Sequence, residues 1–306
     1  MSRPRVALTV GDPAGIGPEI ARAAWGDSAL VEEVDLTVVG PAALRVDDVA
    51  WSETEGPRSW DMGRAQASCG AAALAALRRG VELAMNGDVD ALVTGPVCKE
   101  ALHLAGEEVE GQTELLARWA GIDRYEMIGV AGELRVMLLS RHLSLRDALE
   151  RIEKRAVVDH LHLFDETLRG LGIERPRLAL AGLNPHAGEG GLFGNEEEME
   201  LAPAVEEARA GGVDVEGPLS PDTVFLEASR GRHDGVLALY HDQAFIPLKL
   251  LSGDRGLTVI AGLPYLRVSP VHGTAFDIAG QGLARPENLL HAIRQAARWS
   301  ARSPMS

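Results

Sequence analysis

Short apolar runs, punctuated by glycine or proline, alternate along this chain with longer stretches whose apolar residues recur at helical spacing. The runs Arg5–Val10, Val34–Gly40, Asp90–Gly95, Leu134–Ser140, Arg177–Ala181 and Gly235–Tyr240 predict buried strands. Between them, helices are predicted at Gly17–Trp25 (with Pro18 in its first turn), Gly63–Met85, from Glu114–Trp119 onward, Arg155–Leu171, Asn195–Ala210 and Pro286–Trp299. Ser300–Ser306 reads as a loose tail. Strands alternating with helices imply an α/β protein with largely parallel sheets covered on both faces. At 306 residues the chain is long enough for two such domains.

In sheets of this kind, ligands collect beyond the carboxyl ends of the strands. The unusual polar segments of this sequence fall there repeatedly: Gly11-Asp12-Pro13, Gly95-Pro96, Ser140-Arg141-His142, Asn184-Pro185-His186 and Tyr240-His241-Asp242-Gln243. Of the nine histidines, His142, His186 and His241 directly follow predicted strands. They are too far apart in sequence for a zinc finger or an HExxH helix. Their claim as a set is the shared position at strand ends. Three imidazoles converging there would make an open metal site; the alternative is three separate hydrogen-bonded loop histidines. Asp242 and Glu189 are placed to orient such ligands, or are ordinary capping and solvated charges.

Composition narrows the partners. The charge balance is acidic, with 30 Lys and Arg against 45 Asp and Glu, which argues against nonspecific binding to nucleic acid or anionic membranes. A local cluster of cations can still serve a small anionic substrate. Cys69 and Cys98 are the only cysteines, no disulfide framework, in keeping with a reducing cytoplasm. The first residues lack the apolar run of a signal peptide, and no stretch approaches a membrane span.

Two glycine-rich loops precede helices. Gly11–Gly17 matches neither G-x-G-x-x-G nor a P-loop, so it is a weak phosphate signal beside the simpler reading of a tight turn. His272-Gly273-Thr274-Ala275, followed by Asp277–Gly282, offers backbone amides for a pyrophosphate or adenosine, or is likewise a turn. Candidate anion-binding cations are Arg141, Lys249 and Arg267. Lys249 follows the apolar run Phe245–Leu248, an unusual setting for a surface ion pair.

The segments GDPAGIGPEI (11–20), TGPV-K (94–99), G-TE-LA (111–117), LNPHAGEGG (183–191), GPLSPDTVF (217–225), YHDQ with IPLKLL (240–251) and GLP…HGTAFDIAG-G (262–282) occur in order. Together they resemble the 4-hydroxythreonine-4-phosphate dehydrogenase family, along nearly the whole chain. The resemblance implies an isocitrate/isopropylmalate dehydrogenase-like fold, two α/β domains with a cleft between them. The first would take residues 1–128 and 255–306, and the second 129–254. It implies a cytoplasmic homodimer whose site is shared between subunits, with a place in pyridoxine biosynthesis.

The resemblance also assigns roles. His142, His186 and His241 become ligands of one divalent metal (Zn, Mg, Co, Mn or Ni). Asp222 and Lys249 become catalytic candidates. Gln112, Thr113, Lys249, Thr258 and Arg267 line the substrate, with Arg141 added for a second carboxylate. His272, Gly273, Thr274, Ala275, Asp277 and Gly280 hold NAD or NADP. The implied reaction is oxidation of a small phosphorylated hydroxy acid followed by decarboxylation.

The substrate wall departs from the family. Gln112 stands where a histidine is usual, Thr258 where an asparagine is usual, Cys98 replaces a histidine, Arg141 precedes His142 where threonine is common, and Val271 replaces an aspartate before His272. The metal set is intact while its surroundings differ, so the same chemistry on another substrate is expected. The IPLKLL and GLFGNEE stretches look closer to relatives acting on 4-phospho-threonate or 4-phospho-erythronate. Alternatives are a non-phosphorylated dihydroxy dicarboxylate substrate, a phosphate acyltransferase-like enzyme, or a non-catalytic sensor of a small anion.

Overall fold

The computed structural model describes residues 3–109 and 111–302. In chain order the elements are β1 (Arg5–Thr9), α1 (Gly17–Trp25), α2 (Ser28–Glu33), β2 (Asp35–Pro41), β3 (Ala50–Thr54), α3 (Ala67–Met85), β4 (Ala91–Thr94), α4 (Lys99–Leu104) and α5 (Gln112–Ala120). There follow β5 (Glu126–Ala131), β6 (Leu134–Leu138), α6 (Leu145–Leu149), α7 (Lys154–Gly170), β7 (Arg177–Ala181), a π-helical turn at Glu197–Leu201, α8 (Ala202–Ala210), β8 (Asp214–Leu219) and α9 (Val224–Ser229). The chain closes with β9 (Gly235–Ala238), α10 (His241–Ser252), β10 (Leu257–Ala261), β11 (Arg267–Pro270) and α11 (Glu287–Arg302).

These elements form two compact units. The first takes the described residues up to Arg124 and those from Leu263 onward; the second is Tyr125–Gly262. The sequence reading placed β10 with the first domain. The structure pairs β10 antiparallel with β5, Val259 opposite Ile128, and so assigns it to the second. The expected loose tail Ser300–Ser306 is corrected at its start, where α11 continues to Arg302; residues 303–306 lie outside the described residues.

The first unit holds parallel strands in the order β3-β2-β1-β4-β11. Its strands read as unbroken apolar runs because both faces are covered: Val6, Ala7, Leu8 and Thr9 of β1 are all buried. Small residues on α3, among them Ala72, Ala73 and Ala76, let that helix lie close to the sheet. Gly11 ends β1 at φ +76°, and a Cβ there would collide with the Pro96 carbonyl, so only glycine fits this strand end.

In the second unit the strand order is β10-β5-β6-β9-β7-β8. The block β6-β9-β7-β8 is parallel; β5 joins β6 antiparallel, and β10 joins β5 antiparallel. Alternate residues of β6, Leu134, Val136 and Leu138, join Val224 and Phe225 of α9 and Ala244 and Leu248 of α10 in one buried cluster. The amphipathic α7 covers strand β9 elsewhere, with Phe164 against the bare α-carbon of Gly235. Among the described residues, no helix is long and apolar enough to cross a membrane.

Candidate active site

The parallel block of the second unit brings four singled-out residues to one edge. His142 follows β6, His241 follows β9, His186 follows β7 and Asp222 follows β8, and these strands are successive neighbours. Parallel strands put all four at carboxyl ends, where side chains are released from the pleat into open space. The His142 and His241 ring centroids are 5.8 Å apart, tilted at 41°.

His241 is the first residue of α10. Its Nδ1 donates to Asp242 Oδ1 across 2.8 Å, and its ring stacks on Phe245, one helical turn on, at 4.6 Å. The carboxylate accepts only, so the proton resides on Nδ1 and the Nε2 lone pair is left for an outside ligand. Paired imidazoles with an orienting carboxylate suit a borderline divalent cation such as zinc. Among the described residues, no three His, Cys, Asp or Glu side chains lie close enough to hold a metal ion within one chain. The donor chemistry of this pair fits a metal.

His186 sits in a loop of unusual backbone. His186 (φ 54°), Ala187 (φ 54°), Gly188 (φ 82°), Glu189 (φ 46°), Gly190 (φ 65°) and Gly191 (φ 89°) all lie in the left-handed region. Each non-glycine there costs on the order of 1–3 kcal/mol, so such a run persists only where its surroundings over-determine it. The neighbouring π-helical turn supplies a constraint. Its Glu197 side chain is 4% exposed. Glu197 Oε1 accepts from Leu183 N (2.9 Å) and Asn184 N (2.7 Å), and Oε2 accepts from Asn184 Nδ2 (2.8 Å). A Cβ on Gly188 would come within 3.0 Å of Oε2, so the loop packs directly on the carboxylate. Burial pushes the Glu197 carboxyl up, but the hydrogen bonds from Asn184 and Leu183 outweigh it and hold it below the usual range, as a carboxylate.

Asp222 is exposed, and its Oδ1 accepts from Ser220 Oγ at 2.6 Å. That bond, with a smaller contribution from the His186 charge, keeps it below the usual carboxylate range. Lys249 is exposed on α10, and Thr258 is buried in β10 opposite Gly129. Arg141, expected to meet a second carboxylate, pairs its Nε with the buried Glu126 at 3.0 Å and lies over the Tyr125 ring.

In the first unit, Arg267 is almost wholly enclosed. Its Nη2 donates to Thr94 Oγ1 (2.7 Å) and Gln112 Oε1 (3.0 Å), and its Nε finds no partner. Burial pulls its pKa down to about 10, so it remains a cation at neutral pH, with no carboxylate hydrogen-bonded to it among these contacts. Gln112 Nε2 donates in turn to the Gly95 carbonyl at 3.2 Å. Thr113 lies next to it in the first turn of α5, half-buried.

The two glycine-rich loops prove different. The amides of Gly11–Gly17 are consumed internally: Asp12 N donates to Pro96 O, Ala14 N to Asp12 Oδ1, Gly15 N to Asp12 O and Ile16 N to Thr274 O. This is a structural turn with little left for a phosphate. In the other loop Gly273, Asp277 and Gly280 are exposed, Ala275 takes φ 42°, and the buried His272 Nε2 has no partner. An unsatisfied ring nitrogen beside an exposed glycine fits a loop that receives a polar ligand such as a nucleoside.

The family model described as pyridoxal phosphate biosynthetic protein PdxA matches residues 18–296. The chain belongs to the PdxA family. D-threonate 4-phosphate dehydrogenase of Salmonella typhimurium is 41% identical over 97% of the chain and 99% of that protein. The crystal structure of 4-hydroxythreonine-4-phosphate dehydrogenase from Klebsiella pneumoniae superposes with a TM-score of 0.88 at 40% identity, covering 98% of this chain and all of the other. Terephthalate 1,2-cis-dihydrodiol dehydrogenase from Burkholderia xenovorans follows at a TM-score of 0.72 and 31% identity, over 97% and 98% of the two chains. The PdxA-family resemblance and the α/β class expected from the sequence are thereby established, and with them an enzyme of the dehydrogenase type acting on a CH–OH group.

The sequence reading missed the role of Glu197, which it left inside an acidic amphipathic helix. One signal was available. Glu197, Leu201, Ala204 and Ala208 fall at helical spacing on the buried stripe, so a carboxylate heads an apolar face. Glu126, buried in β5, was likewise passed over.

Proposed function

We propose that this PdxA-family protein oxidises a small phosphorylated hydroxy acid with NAD or NADP, using one divalent metal, and that the product then loses carbon dioxide. The row of His142, His241, His186 and Asp222 along adjacent parallel strands carries this reading. D-threonate 4-phosphate is the preferred substrate: it is in the name of the Salmonella relative, and Gln112 replaces the histidine usual in 4-hydroxythreonine-4-phosphate dehydrogenases.

His142, His186 and His241 would hold the metal, which supplies Lewis-acid polarisation of the substrate oxygen. Arg267, a buried cation lacking a hydrogen-bonded carboxylate, holds the phosphate, and Gln112 and Thr94 fix its fork. Thr113, Thr258 and Lys249 complete the substrate wall. Asp222, kept ionised by Ser220, would take the hydroxyl proton, and a bound nicotinamide would supply the hydride acceptor. The resulting β-keto acid releases carbon dioxide, and Lys249 or Asp222 delivers a proton to the carbon left behind. The loop carrying His272, Gly273, Thr274, Ala275, Asp277 and Gly280 receives the adenosine half of the cofactor.

A second copy of the chain would complete the ligand set. The second unit carries a groove of about 510 Å³ beside Asp222 and Asp242, rimmed by Leu226, Ile246, Leu250 and Leu251, all exposed. Exposed leucine and isoleucine side chains gathered beside the site support an association surface here.

The test is NADH formation from D-threonate 4-phosphate, D-erythronate 4-phosphate and 4-hydroxythreonine-4-phosphate, each with added zinc or magnesium and again with EDTA. Metal-dependent reduction of NAD with one of the three is expected. Metal and NAD binding without turnover of any of them would refute the phosphorylated substrate and turn attention to dicarboxylates. Absence of both metal and NAD binding would refute the reading itself.

A further inference from the structure

The six-residue left-handed run at His186–Gly191 has no ladder of its own to hold it. Within it, the amides of Gly191 and Phe193 both reach the same carbonyl, Gly188 O, at 3.0 and 3.2 Å. What ties the loop to the body of the unit is at its entrance. Gly182 N donates to Leu219 O, Gln243 Nε2 donates to Gly182 O, and the next two amides, Leu183 and Asn184, both end on Glu197 Oε1. The other oxygen of the same carboxylate takes Asn184 Nδ2, which also reaches Glu196 Oε2 at 2.8 Å. Only Pro185 separates Asn184 from His186, so the direction in which the chain enters the left-handed run is set by one buried side chain.

The element that presents Glu197 is itself irregular. A π-helical turn occupies Glu197–Leu201 where a regular α-helix would continue α8 backwards. Such turns are rare and concentrate at functional sites, because the extra residue re-aims the side chains that precede it. Here Glu197 and Glu200 both point into the unit. Glu200 Oε2 accepts from Lys154 N at the start of α7, while Glu197 serves the loop. Neither contributes to the exposed row of histidines.

We infer that Glu197 is the positioning residue for His186: its carboxylate anchors Leu183 and Asn184 and thereby fixes the left-handed turn that presents the imidazole. The inference rests on the reading of His186 as a metal-facing side chain. Outer partners that orient ligand histidines usually bond the ring directly, as Asp242 does for His241. Among the described residues no hydrogen bond reaches the His186 ring, so the placement of the imidazole depends on the loop backbone, which Glu197 holds. Which rotamers a side chain can take depends on its backbone φ/ψ, so anchoring the backbone here constrains the ring.

The experiment uses the full-length protein and zinc as the probe. Zinc dissociation constants are measured by calorimetric titration of metal-free wild type, Glu197→Ala, Glu197→Gln and His186→Ala, with hydrogen exchange followed over residues 183–191. Glu197→Ala is expected to weaken zinc binding roughly tenfold or more and to speed exchange in this loop, while β9 and α7 keep their protection. Glu197→Gln retains an acceptor for the two amides and is expected to recover much of the affinity. If Glu197→Ala does not fold, Glu197→Gln and Asn184→Ala carry the comparison, each with a smaller loss. Unchanged zinc affinity in a folded Glu197 variant whose loop exchanges faster, beside a weakened His186→Ala, would overturn the positioning role alone. Unchanged affinity in His186→Ala would overturn the premise that this histidine faces the metal.

Discussion

Asp242 accepts the Nδ1 proton of His241, its own sequence neighbour, across 2.8 Å at the mouth of β9. The pairing fixes the tautomer and the ring direction of the central member of the histidine row. Replacing Asp242 by alanine should free the ring and lower zinc affinity about 10- to 100-fold, with asparagine, which can still accept at Oδ1, losing less. Calorimetric titration of zinc into both variants checks this. Equal affinity for wild type and Asp242→Ala would remove Asp242 from the metal's support.

Arg267 and Gln112 form a second such relationship, in the first unit. The guanidinium is buried, and its Nη2 is shared between Thr94 Oγ1 and Gln112 Oε1. Loss of the Gln112 carboxamide leaves both Arg267 and the Gly95 carbonyl short of a partner. Gln112→Ala should raise KM for the phosphorylated substrate about tenfold with little change in kcat. Arg267→Ala should reduce kcat/KM roughly 100-fold or more, about 3 kcal/mol, because it removes the cation itself. Steady-state kinetics with and without the phosphate on the substrate separates the two: the unphosphorylated analogue should be insensitive to Arg267→Ala.

The parallel strands and the histidines at their ends were legible because they rest on local rules. A buried parallel strand must be apolar throughout, so β1, β7 and β9 announce themselves, and the polar residues that follow must lie at a carboxyl edge. What the sequence could not display was lateral order. That β6, β9, β7 and β8 are neighbours is a matter of long-range pairing, and it is this order that makes a row of His142, His241, His186 and Asp222. The strand β10 was assigned to the wrong domain for the same reason, since its antiparallel partner β5 lies far away in sequence. Glu197 was hidden by its own composition: in a run of acidic residues, one buried carboxylate looks like its solvated neighbours. Arg141 looked free because Glu126, its partner, sits on another strand.

The apolar rim of the second unit gives a prediction about assembly. Leu250 is 80% exposed and Ile246 59%, and both lie on α10, the helix that begins with His241. Placing a charge there, Ile246→Glu with Leu250→Glu, leaves the buried face of α10, Ala244 and Leu248, untouched. The wild type should sediment as a dimer, and the double variant, still folded, as a monomer. If a second copy completes the proposed ligand set, the monomer should also bind zinc at least tenfold more weakly. A monomeric variant with wild-type zinc affinity would show that the site needs no second copy.

Glu197 also gives the molecule a distinctive acid response. Burial opposes its charge, but the bonds from Asn184 and Leu183 hold the folded-state pKa below that of the unfolded chain. A carboxyl depressed in this way contributes stability that is fully present above its unfolded pKa of about 4.3 and is lost as the pH falls through the folded value. Asp90 beside Arg5 and Asp234 beside Arg177 are lowered in the same sense, so the acid limb of the wild type alone assigns nothing to one group. The comparison with Glu197→Gln isolates it, because glutamine does not titrate. Urea unfolding should find the wild type more stable than Glu197→Gln by about 1–3 kcal/mol at pH 7, with the gap narrowing steadily as pH drops below about 4.5. A gap that stayed constant down to the acid transition would mean that the charge on Glu197 contributes nothing, and that the loop needs only an acceptor of the right shape.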